Sequence, residues 1–362
     1  MVFLELVKDV VRVNMKHQYL LLKLFLISCQ SLLGQIQFEE TRQPTRQGWN
    51  IEISAGLDFI SNLLINPAVG AGESRLGFGA LLDLNSTFNQ GNFTWTNNLS
   101  LDYGIQKIGS GTLPNIPDKK VPFQKTIDNI WLNSKAAQRT SYFSKLYYAA
   151  DVFFSSQLTK TYEDNFLTDV AGTGHPVSKF LSPALFQFSL GMDYKSDDHW
   201  SVFLSPASFK TIIVADDKIA DDFATDESGD FLDTIHGNPF EMNEEGEIRY
   251  ENYDHQFGAA LRVVYDNQIT NTLAIRTNLM LFSNYLRKPQ NIDVNLRNQI
   301  DLTIVKGLKL SLLSWLTYDH DILVQVTDNS KPKGVSGFGR RVSYTQQLLL
   351  KYSFIIDQRS PQ

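Results

Sequence analysis

Apolar and polar residues alternate along the stretch "FTWTNNLSLDYGI", which runs from Phe93 to Ile105. With the exception of Asn97, its odd positions are apolar, and its even positions are small or polar. Successive side chains of a β-strand point to opposite faces, so this stretch predicts a strand with one apolar face and one polar face. A soluble β-sandwich and a membrane-spanning β-barrel both contain such strands. The two folds differ in what covers the apolar face.

The same alternation recurs along the chain and predicts about twelve strands. They cover residues 49–60, 75–89, 93–106, 125–136, 141–157, 180–195, 199–213, 255–266, 272–286, 291–305, 308–319 and 342–354. The fourth segment alternates poorly. The seventh contains Pro206, which cannot donate a hydrogen bond within a central ladder.

The predicted connections between these strands differ in length at the two ends of the sheet. All five even-numbered connections are tight turns, whereas five of the six odd-numbered ones are long, and the turn containing Pro289 is the exception. Outer-membrane barrels have short turns on the periplasmic side and long loops outside. An even strand number also leaves both termini on the periplasmic side. We therefore predict an all-β fold, an antiparallel up-and-down transmembrane β-barrel of about twelve strands over residues 49–354.

Composition agrees with this fold. Aromatic residues make up 12% of the chain, which suits a barrel with aromatic girdles. After the N-terminus, no run of about 18 apolar residues suggests a membrane helix. A closed barrel is the β arrangement that satisfies every backbone group in hydrocarbon. The 33 basic and 39 acidic residues argue against nucleic acid as a partner.

The N-terminus predicts a secretory signal peptide that begins at Met15 and contains an apolar core from Tyr19 to Ile27. Residues 1–35 are interpreted as an upstream extension plus this signal, with Met1 and Met15 as alternative starts. Residues 36–48 would be a periplasmic segment, and 355–362 a periplasmic tail. Cys29 is the only cysteine. It would either leave with the signal, the reading we favour, or become a lipidated N-terminus, as the "LISC" sequence at 26–29 allows.

The last predicted strand carries an apolar stripe that ends at Phe354. Barrel-assembly machinery reads final strands of this kind, so it is an expected partner. Eight residues follow Phe354, whereas the usual signal ends the chain.

Three longer blocks resemble a known family. They are "DNIWLNSKAAQRTSYFSKLYYAADVFFSSQ", "FLSPALFQFSLGMDYKSDDHWSVFLSPASFKTIIVADDKIAD" and "LFSNYLRKPQNIDVNLRNQIDLTIV". They are similar to a Bacteroidetes domain-of-unknown-function family whose members are predicted outer-membrane β-barrels. The resemblance spans about Trp49 to Phe354. It implies a barrel in the cell outer membrane, in contact with outer-membrane lipid and lipopolysaccharide, and it brings no catalytic residues.

Several charged residues are candidates for functional sites. The polar strand faces would place Asp102, Asp293, Arg297 and Asp301 in the lumen. The longest loop contains twelve acidic residues between Asp216 and Glu247, against one Lys218. Its carboxylates, among them Asp226 and Asp230, would suit Ca²⁺. A solvated loop is the favoured alternative, and divalent cations that bridge lipopolysaccharide phosphates are a third.

The end of the eleventh strand carries a second candidate group. Asp319 and Asp321 would share one face and bind a cation, with His320 pointing the other way. His320 is also a candidate base at the barrel rim, with Ser311, Ser314 or Ser336 as nearby serines, although an exposed polar strand end is the favoured explanation of the group. Apart from Ca²⁺ at the external loops, no cofactor is expected.

Three functional hypotheses remain open at this point. The leading one is a barrel without catalytic activity, either a narrow pore for small solutes or a structural envelope protein. The second is a barrel enzyme that modifies or hydrolyses lipids with His320. The third is a soluble secreted β-sandwich that binds glycans.

Overall fold

The computed structural model describes residues 47–62, 74–109, 112–113, 116–197, 199–225, 231–243, 248–328, 330 and 335–356. The predicted signal peptide, Cys29 and the end of the predicted periplasmic tail lie outside these residues. Asp226 and Asp230 also lie outside them.

Within the described residues, twelve long strands form one closed antiparallel barrel. They are β1 (Gly48–Asn62), β2 (Arg75–Gln90), β3 (Phe93–Ile108), β4 (Gln124–Arg139), β5 (Leu146–Ser156), β6 (Ala184–Lys195), β7 (Trp200–Ile213), β8 (Tyr253–Gln268), β9 (Leu273–Asn284), β10 (Ile292–Val305), β11 (Leu308–Tyr318) and β12 (Ser343–Ile356). Each strand pairs with the next in sequence, and β12 pairs with β1 to close the barrel. The predicted fold and strand number are confirmed.

The connections with secondary structure of their own all leave the same end of the barrel, called here the long-loop end. In the part of the chain that the structure describes, four small hairpins lie there: Thr112–Leu113 with Ile116–Lys120, Phe223–Thr225 with Phe231–Thr234, Phe240–Met242 with Ile248–Tyr250, and Val324–Thr327 with Val335–Gly339. The loop after β7 also contains the short helix α1 (Asp217–Ala220), and a 3-10 turn covers Glu163–Asn165. No helix among the described residues is long and apolar enough to cross a membrane.

The outside of the barrel is apolar and its inside is largely polar. Outward side chains such as Leu57 and Phe59 are 67% and 62% exposed, whereas Ser54 on the opposite face of β1 is 1% exposed. Asp83, Ser100 and many other polar side chains are buried inside. This arrangement is the reverse of a soluble protein. No second protein layer covers the apolar face of Phe93–Ile105 in the described barrel, as a soluble β-sandwich would require.

Aromatic side chains mark both edges of the apolar band. At the short-turn end, Trp49 packs against Phe88 and Trp95, with ring centroids 5.2 and 5.7 Å apart. At the long-loop end, Phe59 packs against Phe78 at 5.3 Å. Trp49 and Phe59 are separated by about 10 residues of ~3.3 Å each on a strand tilted by roughly 40°, which gives a height of ~25 Å. That height matches the hydrocarbon core of an outer membrane.

Pro206 is accommodated in β7 by a bulge. The register shifts on both sides of it, between Leu190 and Met192 on β6 and between Gly258 and Ala260 on β8. A bulge leaves one residue out of the ladder, so the missing N–H of proline costs no hydrogen bond there. The neighbouring backbones approach closely, since a Cβ added to Gly191 would lie 2.1 Å from the Leu204 carbonyl oxygen.

Candidate functional site

The lumen of the barrel is filled by side chains over most of its length. Three apolar clusters of the described residues lie inside it: Leu81 with Leu313 and Leu349, Trp131 with Phe153 and Met280, and Phe203 with Ala137, Tyr147 and Ala149. Leu349 is fully buried, and Phe153 is 1% exposed. Inward side chains around a water-filled channel would remain exposed. Their burial shows that protein atoms occupy this part of the lumen.

An ionic network crosses the lumen between the two sides of the barrel. Arg297 on β10 reaches β3, where its Nη2 donates to the Ser100 hydroxyl at 2.7 Å and lies 3.5 Å from the Asp102 carboxylate. It also lies 3.9 Å from Asp83, whose other oxygen accepts a hydrogen bond from Lys351 at 2.5 Å. Two of the predicted lumen residues, Asp102 and Arg297, therefore lie together. Asp83 and Lys351 complete the group.

A second ion pair is almost completely buried inside the barrel. Arg262 on β8 donates to the Asp151 carboxylate on β5 at 2.6 Å, and both side chains are 3% exposed. The Asn133 amide donates to the same Asp151 oxygen at 2.9 Å. Buried pairs of this kind hold their strands together only while both partners are present.

Asp301 lies nearer the short-turn end and is 7% exposed. It accepts hydrogen bonds from the Ser311 hydroxyl at 2.6 Å and from the Gln299 amide at 2.8 Å. Lys309 Nζ lies 3.9 Å away. Ser311 is thus bound to Asp301 and is not placed beside His320.

A cavity of about 270 Å³ opens at the long-loop end of the lumen. Its walls come from β4 to β7, from β9 to β11 and from the loop after β11. Apolar and aromatic side chains dominate the lining: Phe153, Leu185, Ile212, Met280, Phe282, Trp315, Tyr318, Ile322 and Val324. At about 30 Å³ per molecule, the space equals ~9 waters, the size of a small organic molecule.

Three charged residues meet in the wall of this cavity. Lys210 Nζ lies 2.6 Å from the carboxylates of both Asp293 and Asp319, and 5.3 Å from the centroid of the Phe282 ring. Lys210 is 1% exposed. The two carboxylates share one ammonium group, so the trio carries a net charge of −1. The predicted lumen residue Asp293 therefore lies at the cavity, apart from Asp102, Arg297 and Asp301.

Asp319 and Asp321 were predicted to hold a cation together, but the structure gives them other contacts. Asp319 binds Lys210, and Asp321 accepts a hydrogen bond from the Gln256 amide at 3.1 Å. Burial raises the pKa of Asp321, with a further contribution from the charge of Asp319. Among the described residues, no three His, Cys, Asp or Glu side chains are grouped so that they could hold a metal ion.

His320 makes its contacts with other residues than these carboxylates do. Its Nδ1 lies 3.3 Å from the Tyr318 hydroxyl, and its backbone carbonyl accepts a hydrogen bond from Arg340. Neither contact supplies a nucleophile and base arranged for hydrolysis.

The long loops are joined to one another by ion pairs. Lys179 binds Asp216, Arg340 binds Asp233, and His175 Nε2 lies 2.9 Å from Asp222. The hydrogen bond from Lys179 is the main reason that the pKa of Asp216 is lowered. Asp216 and Asp233 of the acidic loop thus neutralise cations of neighbouring loops, and Asp222 is hydrogen-bonded to His175. For these residues the contacts give the acidic sequence a structural role.

Several residues of the lumen networks were not singled out from the sequence. All of them lie on polar strand faces, so alternation could have placed each of them inside the barrel. They are Asp83, Asp151, Asp193, Lys210, Arg262 and Lys351. The sequence does not show which of them meet, because partners such as Arg262 and Asp151 are 111 residues apart.

Part of the chain matches a known family model. A family model described as a protein of unknown function (DUF3078) matches residues 37–162 of the 362 residues, which is less than half of the chain. The predicted family resemblance reached Phe354, beyond this match. No curated protein matches the chain.

Comparison with solved structures finds outer-membrane barrels at low similarity. The COG4313 outer membrane channel from Pseudomonas putida F1 has 12% identity and a TM-score of 0.36, over 89% of this chain and 100% of that one. The translocator domain of autotransporter NalP from Neisseria meningitidis has 10% identity and a TM-score of 0.32, over 86% and 90%. The outer membrane channel DcaP of Acinetobacter baumannii has 10% identity and a TM-score of 0.27, over 84% and 96%.

The location follows from the barrel itself. A closed antiparallel sheet with an apolar band, two aromatic girdles and a polar interior is stable only when hydrocarbon surrounds it. This chain is an outer-membrane β-barrel, and the predicted location is confirmed.

Proposed function

We propose that this barrel transports a small organic solute, which first binds in the cavity at the long-loop end. The observation that carries the proposal is the position of the cavity. It opens toward the loops and lies above a lumen that is filled by side chains. A purely structural barrel gains nothing from a preformed cavity with aromatic walls. A general pore would need an open lumen, which the buried ionic network does not leave.

Passage down the length of the lumen requires this ionic network to rearrange. Arg297 joins β10 to β3 across the lumen, and Lys351 joins β12 to β2. A solute that moves below the cavity must displace these side chains. The resting barrel is therefore closed, and passage is selective and slow compared with an open porin. Enzymatic activity has no support from the surroundings of His320.

A cavity-filling variant tests the proposal. Thr317 lines the cavity, whereas its neighbour Leu316 lies on the opposite face of β11. Thr317→Trp should reduce solute entry at least tenfold, and Leu316→Trp serves as the matched control and should leave entry nearly unchanged. Entry is measured in cells that carry the full chain, with two probes, radiolabelled arabinose and the apolar dye 1-N-phenylnaphthylamine. If neither probe enters faster than in cells lacking the protein, the transport proposal is wrong.

A further inference from the structure

Among the described residues, the junction between the first and last strands is the shortest in the barrel wall. Within residues 47–62 and 335–356, β1 and β12 pair from Ile51–Leu57 against Ile356–Leu350, seven residues on each strand. Neighbouring strands elsewhere in the barrel pair over ten to sixteen residues. Both strands continue beyond the paired part, since β1 extends to Asn62 and β12 begins at Ser343.

The two strands separate toward the long-loop end. Residues 58–62 of β1 pair with β2, and residues 345–349 of β12 pair with β11, but the two stretches do not pair with each other. We call this gap the notch. It is five residues deep, roughly 17 Å along the strands at about 3.3 Å per residue. It lies at the level of the Phe59 and Phe78 girdle.

Among the described side chains, one hydrogen bond crosses the notch. The Gln347 amide donates to the Asp58 carboxylate at 2.9 Å. On the outer face, Phe59 and Leu348 flank the gap and are 62% and 57% exposed. Unpaired backbone groups at the edge of hydrocarbon are costly, and closed barrels normally avoid them. An unpaired stretch at this position therefore calls for a functional explanation.

The notch lies next to the cavity. Trp315 lines the cavity from β11 and pairs with Thr345 on β12. On its other side, Thr345 faces the unpaired end of β1. Only the width of β12 separates the aromatic wall of the cavity from the gap. A molecule that leaves the cavity sideways would reach the outer edge of the membrane without crossing the buried ionic network.

We infer that the notch is a lateral opening through which apolar molecules pass between the cavity and the outer leaflet. This inference rests on the proposed function and assigns its substrate class: solutes that partition into membranes, with an apolar or aromatic body. The aromatic lining favours such molecules in the cavity. A strongly polar solute would gain nothing from a route that ends in lipid.

A reversible covalent lock tests this route. Ser61 and Gln346 would be opposite each other if the register of the paired part continued, and both lie on the outer face. A Ser61→Cys/Gln346→Cys variant forms a disulfide across the notch on oxidation. The control is Ala55→Cys/Tyr352→Cys, which joins residues that are already paired on the same face. Cys29 is replaced by serine in both. Oxidation should slow entry of 1-N-phenylnaphthylamine at least fivefold in the first variant and less than twofold in the control, and reductant should restore it.

The outcomes separate this inference from the proposed function. If the locked barrel admits the dye as fast as the reduced one, the lateral route is wrong, while sensitivity to Thr317→Trp would still support transport. If wild type admits neither the dye nor arabinose, both proposals are wrong. A second variant tests the inference if the disulfide does not form. Gln347→Ala removes the contact across the notch and should speed dye entry at least twofold, and an unchanged rate would overturn the inference.

Discussion

Removal of the Arg262 guanidinium tests whether the middle of the lumen is dry. Arg262 and Asp151 are each 3% exposed and lie 2.6 Å apart. In Arg262→Met, Asp151 would remain as a buried charge without its cation. Breaking one side of a buried ion pair costs about 3–5 kcal/mol. The Asn133 amide still donates to Asp151 at 2.9 Å, so we expect the lower end, about 3 kcal/mol.

Two companion variants show whether the stranded charge of Asp151 causes the loss of stability. Arg262→Met/Asp151→Asn removes both charges and should recover all but about 1 kcal/mol of the loss, because no charge is then stranded. Arg276→Met is the matched control. Arg276 pairs with Asp266 at 2.8 Å, but the two side chains are 38% and 49% exposed. Exposed pairs contribute about 0–1 kcal/mol.

The measurement is equilibrium unfolding in urea, with the protein in lipid vesicles and tryptophan fluorescence as the signal. Trp131 packs against Phe153, with ring centroids 5.7 Å apart, and so reports on the lumen. If Arg262→Met destabilises the barrel no more than Arg276→Met does, water reaches Asp151 and the filled lumen is refuted.

Two further predictions concern the bulge and the loops. Gly258→Ala would place a methyl carbon 1.9 Å from the Ser283 carbonyl oxygen and should cost at least ~2 kcal/mol of unfolding free energy, whereas Gly56→Ala, with its nearest contact at 3.4 Å, should be far milder. Heat-modifiable gel mobility measures the folded fraction of each variant. Equal folded fractions would contradict the close approach of the Ser283 carbonyl to Gly258. Burial lowers the pKa of His236 to about 4, below the ordinary value of 6.5. The unfolded loop therefore binds the proton more tightly, so loop stability is complete above about pH 6.5 and falls as the pH drops toward 4. Proteolysis of residues 231–242 should be faster at pH 5 than at pH 7.5 in wild type and change less in His236→Gln; an equal change in both would remove His236 as the cause.

The strands could be predicted closely because alternation is a local property. The observed strands differ from the predicted ones where a local backbone conformation interrupts a stretch that still alternates between polar and apolar residues. The predicted strand 141–157 begins at Leu146, because Thr140 and Phe143 form a hydrogen-bonded turn. The predicted strand 180–195 begins at Ala184, after Leu181 adopts a positive φ of 61°.

The contents of the lumen could be predicted only in part. Polar faces placed Asp102, Asp293, Arg297 and Asp301 inside, and the structure has them there, but in three separate groups. Contact between Arg297 and Ser100 spans 197 residues and depends on barrel radius and strand stagger. Neither quantity follows from alternation. The notch was also not predicted, because alternation indicates the face on which a side chain lies and not the extent to which two neighbouring strands pair.

Current through single barrels in planar bilayers tests the closed lumen most directly. With Arg297 in contact with Ser100 and Asp102, wild type should show no steady open-channel current. Arg297→Ala removes the link across the lumen and should produce conducting steps, whereas Arg75→Ala, at an exposed arginine bound to Gln106, should behave as wild type. A steady porin-like current in wild type, unchanged by Arg297→Ala, would contradict the account.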